Sequence, residues 1–140
     1  MSGDRTYKLT SRDKKIIDLF ADLGVPRNLA KTLMYISQVD ECRSSDIERG
    51  AGLRQPEVSI AMQELTRRGW VSRRNQKKEG KGRPIYIYKL ESSLEEIIKD
   101  IEREKLEEVN AIKRDIEELK SLIQGREKIQ FEEMTEKEEK

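Results

Sequence analysis

Histidine is absent from the 140 residues, and Cys42 is the only cysteine. One thiol excludes an intramolecular disulfide, and without imidazole the usual zinc clusters and His-dependent catalytic designs are excluded too. Cys42 is expected to be a small buried apolar residue, with a redox-sensing thiol as the alternative. No stretch approaches the roughly 20 apolar residues that span a bilayer. Met1 to Lys15 contains no apolar core of a secretory signal, so a cytoplasmic protein is expected. Also missing are a glycine loop followed by Lys and Ser/Thr, a nucleophile elbow, and a base for a serine or cysteine nucleophile. Carboxylates are plentiful but fall mainly where a solvated helix surface is expected. The expectation is a protein that is not an enzyme and uses no cofactor and no metal.

Charge is present in abundance, at 41% of residues, and the net value of +1 conceals its distribution. Residues 1–90 hold 19 Lys and Arg against 11 Asp and Glu, whereas residues 91–140 hold 10 against 17. The division suggests a basic recognition domain joined to an acidic helical segment. The accidental alternative is uneven spread in a chain rich in Lys and Glu.

Residues 1–12 lack apolar periodicity and read as a flexible arm. From Asp13, the spacing of Ile16, Ile17, Phe20 and Leu23 predicts a helix ended by Gly24. Pro26 suits the first turn of a second helix with a stripe of Leu29, Ala30, Leu33, Met34 and Ile36. After a polar break at 38–43, Ser45 with Glu48 reads as a capping box opening a short helix. A tight turn at Arg49 to Leu53 follows, and Pro56 opens a further helix. On that helix Val58, Ala61, Met62 and Leu65 form a core face. Its opposite ridge carries Pro56, Ser59, Ile60, Gln63 and Arg67. Gly69 ends it, and Trp70 to Arg74 and Ile85 to Leu90 read as two strands. Residues 75–83 between them have no apolar side chain, the pattern of a β-hairpin with a basic loop, or wing.

Beyond Leu90, Ser92 or Ser93 can cap a long helix. Leu94, Ile98, Ile101, Val109, Ile112, Ile116, Leu119 and Ile123 step by three and four, the seam of a coiled coil, with a stutter near Lys105. So long a seam calls for a partner, a second copy of this chain, although a helix folded back on its own domain is the alternative. Parallel and antiparallel pairing both remain open. The expected fold is therefore mainly α with a small β-hairpin. It comprises an arm at 1–12, a winged helix-turn-helix domain at 13–90, a coiled-coil dimerisation helix at 91–124, and a charged, frayed tail at 125–140.

The chemistry this pattern fits is recognition of double-stranded DNA. Cations placed along a contact surface neutralise phosphates, and the candidates are Arg67, Arg68, Arg73, Arg74, Lys77, Lys78, Lys81 and Arg83. Lys81-Gly82-Arg83-Pro84 also suits a narrow minor groove, or simply a hairpin turn beside a protected edge strand. Base discrimination falls to Arg54, Gln55, Ser59, Ile60 and Gln63. Amides pair with adenine, arginine with guanine, and an aliphatic group with the thymine methyl. Glu57 stands among them with the wrong charge for phosphate. A protein–protein adaptor, a nonspecific chromatin-like binder and an RNA binder are the alternatives, and neither an effector ligand nor an operator is legible.

Ser45-Asp46-Ile47, Gln55-Pro56-Glu57-Val58-Ser59, Leu65-Thr66-Arg67-Arg68-Gly69-Trp70-Val71 and Gly82-Arg83-Pro84 before Tyr86 to Leu90 together carry a resemblance. Over residues 13–90 the chain resembles prokaryotic winged helix-turn-helix regulators, especially archaeal members of the TrmB, MarR and ArsR groups. The resemblance implies a transcription regulator whose dimer places two recognition helices in successive major grooves. The cysteine-rich metal motif of ArsR-type sensors is missing, and the chain is too short for the sugar-binding domain of larger TrmB-like proteins.

Overall fold

A computed structural model describes residues 7–76 and 85–138, with side chains to Met134. In chain order these form α1 (Ser11–Asp22), α2 (Arg27–Gln38), β1 (Glu41–Cys42), α3 (Ser44–Ala51), α4 (Gln55–Arg67), β2 (Val71–Gln76), β3 (Ile85–Leu90) and α5 (Leu94–Glu138). The three strands make one antiparallel sheet in the order β1-β3-β2. This is a mainly helical winged helix-turn-helix fold with a long C-terminal helix. The chain divides into two compact units, one ending at Ile98 and one beginning at Lys99.

In the first unit, α2 is the central helix and packs against α1, α3, α4 and β3. Leu29, Ala30, Leu33, Met34 and Ile36, the expected stripe, are all buried, and Thr32 and Tyr35 join them. Thr32 tolerates burial because its hydroxyl donates to the Asn28 carbonyl at 2.8 Å, which leaves no orphaned polar group. In α1, Ile17 and Phe20 are buried while Leu23 is 48% exposed. The helix ends there, with Leu23 as its C-cap, so the stripe is shorter than its spacing suggests.

Four local details depart from the sequence expectation. The arm is anchored from Tyr7 onward. The Leu9 N–H donates to the Gly50 carbonyl at 3.2 Å, and the Tyr7 hydroxyl donates to Asp13. Helix α1 starts two residues before Asp13, because Thr10 is its N-cap: the Asp13 N–H donates to Thr10 Oγ1 at 3.3 Å and the Thr10 N–H to Asp13 Oδ2 at 2.8 Å, a capping box. For α3 the cap is not Ser45 with Glu48 but Arg43, whose N–H donates to Asp46 Oδ2 at 2.9 Å. The polar break holds a strand, β1, in which Cys42 pairs with Tyr88 and is fully buried. Residues 1–6 of the arm lie outside the described residues.

The hairpin is longer than its apolar residues indicate. Backbone pairing runs from Val71 opposite Leu90 to Gln76 opposite Ile85. Strand β2 therefore continues through Asn75 and Gln76, residues whose polarity reads as loop but whose ladder bonds do not depend on side-chain type.

Ser93, of the two candidates, caps α5: the Glu96 N–H donates to Ser93 Oγ at 3.1 Å. Ile97, missed by the seam spacing, is fully buried, and Ile101 is buried, whereas Ile98 is 52% exposed. The helix does not stop at Gln124 but runs through Gly125 to Glu138. An internal glycine costs a helix about 1 kcal/mol, and the good helix formers around it, Gln124, Arg126, Glu127 and Lys128, offset that cost. No described helix is long and apolar enough to cross a membrane.

Gly50 has no room for a side chain. A Cβ there would stand 2.1 Å from Tyr35 Cε2 and 2.7 Å from the Tyr7 carbonyl oxygen. Neither can retreat, since Tyr35 is fully buried and the other atom is backbone. Gly50→Ala should destabilise the protein by about 1–3 kcal/mol through overpacking, read as a lower urea midpoint. Gly52→Ala tests strain without crowding: the space is open but φ is +67°, and a smaller loss is expected.

Candidate nucleic-acid interface

The helix α4 is positioned at its N-terminal end. Upstream, Gly52 adopts the left-handed conformation that turns α3 into α4, and Leu53 is buried with its N–H bonded to the Glu48 carbonyl at 3.0 Å. At the N-terminus, Glu57 accepts from the Arg54 N–H at 2.9 Å and from Asn28 Nδ2 at 3.0 Å. These bonds, the first above all, hold its carboxyl below the usual range. The acid that looked misplaced beside a phosphate lattice is therefore a cap that also ties α4 to α2.

Val58, Ala61, Met62 and Leu65 are buried, and Pro56, Ser59, Ile60, Gln63 and Arg67 are exposed. Ile60 is 69% exposed, an aliphatic group presented to solvent at the centre of a polar ridge. Gln55, Ser59, Gln63 and Arg67 line a cleft of about 510 Å³ together with Arg73, Tyr86 and Tyr88 of the hairpin. Three of the ridge residues named from spacing, Ser59, Gln63 and Arg67, are thus brought together with Gln55 on one wall of a groove, and a wing arginine on the other. Arg54 is exposed at the N-cap of α4 and Ile60 lies outside the cleft lining.

Four arginines of this face are held rather than loose. Arg73 stacks over Tyr86 at 4.4 Å from the ring centroid, a geometry that suits guanidinium. Arg74 donates to Glu41 at 2.7 Å across the sheet while remaining 60% exposed. Arg67 and Arg68 both donate to Glu64, each with an Nε bond of 2.9 Å. Arg68 also lies over Trp70 at 4.9 Å, and its side chain is only 24% exposed. That position leaves the Arg68 guanidinium between the Glu64 carboxylate and the Trp70 ring, partly exposed. Lys77, Lys78, Lys81 and Arg83 lie outside the described residues.

Spacing missed Ser44, Thr66, Tyr86 and Tyr88 as lining residues. Tyr86 and Tyr88 share one face of β3 by strand alternation, a signal that was available. Ser44 comes from a separate helix, and nothing local marks it. Among the described residues no group of His, Cys, Asp or Glu is arranged to hold a metal ion.

No protein-family profile and no curated relative matches the sequence. Among solved structures, the chain is similar to a possible transcriptional regulator from Methanosarcina mazei Go1. The identity is 15% and the TM-score 0.56, over 72% of this chain and 86% of that one. It also aligns with NadR in complex with 4-hydroxyphenylacetate at 16% identity and a TM-score of 0.47, over 80% and 81% of the two chains. At such identities the first likeness is one of fold.

Hydrogen bonds from Arg67 and Arg68 lower the Glu64 carboxyl to about 2 from its ordinary 4.5. Because the folded pKa is depressed, the stability this clamp contributes is present above about 4.5 and lost as pH falls through about 2. A carboxyl-carbon NMR titration should therefore show Glu64 still ionised at pH 3. In Glu64→Gln that part of the acid-side loss of stability should disappear.

Proposed function

We propose that this chain is a sequence-specific transcription regulator that binds double-stranded DNA as a homodimer. The observation that carries the reading is the cleft between α4 and the hairpin. Amide, hydroxyl and guanidinium groups of Gln55, Ser59, Gln63 and Arg67 face Arg73 across it, with Ile60 exposed beside them. Hydrogen-bonding groups and one aliphatic contact on an outward helix ridge suit base edges in a major groove. Arg54 at the helix start extends that ridge. Arg73 and Arg74, with Lys77, Lys78, Lys81 and Arg83 of the wing, supply the phosphate contacts. The regulator-like fold of the Methanosarcina mazei Go1 protein supports the same reading by analogy.

Homodimerisation rests on α5. Leu106, Val109, Ile112, Ile116, Leu119 and Ile123 are all exposed in the single chain, at the three- and four-residue steps of a coiled-coil seam. A contiguous apolar stripe of this kind marks an interaction face. Two domains paired through such a seam can present two recognition helices to one pseudo-palindromic site.

Fluorescence anisotropy with a labelled random-sequence duplex at several salt concentrations is the direct test. Binding should weaken steeply with salt, and Arg73→Glu/Lys81→Glu should abolish it near 0.15 M. No binding by the native chain at low salt would overturn the proposal. Against an operator obtained by selection, Gln63→Ala should relax preference at one base position by about 1–3 kcal/mol. Sedimentation equilibrium should give twice the chain mass, and Ile112→Lys/Ile116→Lys should return a folded monomer that binds the operator more weakly.

A further inference from the structure

A second basic surface lies away from the wing. Lys8, Lys14, Arg27, Lys31 and Arg49 line a cleft of about 460 Å³ in which Asp18 is the only acidic lining residue among the described residues. They come from four parts of the chain: the arm, α1, α2 and the end of α3. The floor is the turn Gly50-Ala51-Gly52. Asp18 is already paired with Arg27 at 2.5 Å, both groups remaining more than half exposed. Arg49 pairs with Asp46 at 2.9 Å and keeps 74% of its side-chain exposure. Lys8 is brought to the rim because the arm is anchored to the Gly50 carbonyl through Leu9.

The position of this surface relative to α4 follows from helical geometry. At about 100° per residue, Glu57 stands roughly opposite Gln55 and Ser59 around the helix. Gln55 and Ser59 face the hairpin. Glu57 faces α2, where it bonds Asn28 and feels the charge of Lys31. The basic cleft, reached through Arg27 and Lys31 on either side of Asn28, therefore flanks α4 on the side away from the wing. A helix seated in a major groove is bordered by phosphate backbone on both walls, and the wing attends to one of them.

We infer that the Lys8, Lys14, Arg27, Lys31 and Arg49 cleft is a second phosphate-binding surface, filled by the backbone of the bound duplex on the far wall of the groove. The inference rests on the DNA-binding reading for its source of phosphate, while the site's chemistry, several cations around a glycine turn, suits phosphate from a free anion as well. It enlarges the footprint with contacts that add affinity and not sequence preference.

The test uses the full chain with Lys8→Glu/Lys14→Glu, two exposed positions, and the neutral Lys8→Gln/Lys14→Gln/Lys31→Gln in case charge reversal harms folding. In the random-duplex titration, the slope of log K against log salt should fall by about 2 for the double variant, near one unit per lost phosphate contact. The loss should add to that of the wing variant. An unchanged affinity and slope in both variants, while the wing variant loses binding, would overturn this inference and leave the regulator reading standing. Should the native chain bind no duplex, that reading fails. Sodium triphosphate titrated at low salt then decides the site: saturable amide shifts at 27–31 and 49–52 that vanish in the variants support it, and their absence overturns it.

Discussion

Burial of Val58, Ala61, Met62 and Leu65 is the constraint from which the rest of the interface follows. Side chains on a helix are fixed relative to one another, so seating these four in the core sets the rotation of α4 about its axis. Turning it by one residue would bury Ser59, Gln63 and Thr66 in place of Val58, Ala61 and Leu65, with a cost in apolar burial and in unsatisfied amide groups. The outward ridge is therefore a consequence of the inward one. The Glu57 bonds to Arg54 and Asn28 then set where along α2 the helix begins, and β2 leaves Gly69 in a direction that places Arg73 across from the ridge.

The arginines of this face share a second property. Four of them are held by a carboxylate or a ring: Arg67 and Arg68 by Glu64, Arg74 by Glu41, Arg73 by Tyr86. Exposed ion pairs of this kind contribute little to stability. Their effect is to limit the rotamers available to long side chains, which lowers the entropy lost when such a side chain meets an anion. The pairing also explains how a domain with so many cations on one side folds without strong self-repulsion.

The second unit obeys a different rule. Few of its side chains are buried in the single chain, and its helical state draws on propensity and on surface pairs such as Arg103–Asp100 and Lys120–Glu117, each worth a few tenths of a kcal/mol. Its exposed apolar residues continue past the expected seam to Ile129, Phe131 and Met134, but at about 100° per residue Ile129 and Phe131 fall on nearly opposite sides of the helix.

Periodicity alone determined much of this protein. The stripes of α2 and α4, the outward ridge, the two strands of the hairpin and the long terminal helix follow from spacings of 3.6 and 2, because each such element must turn its apolar side to a core. The glycines at 24, 52 and 69 mark element ends for an equally local reason, their positive φ. What depended on residues distant in sequence was not legible. Strand β1 exists because β3 offers it a partner 46 to 48 residues away, the arm docks from Tyr7 onward because Gly50 leaves room for the Tyr35 ring and the Tyr7 carbonyl, and the Glu57 cap also ties α4 to α2 because Asn28 lies beside it. Arg68 was named for its charge, and the stacking of its guanidinium over Trp70 came only from the folded chain. A side chain's type is a property of the sequence, whereas which neighbours satisfy it is set by the tertiary packing.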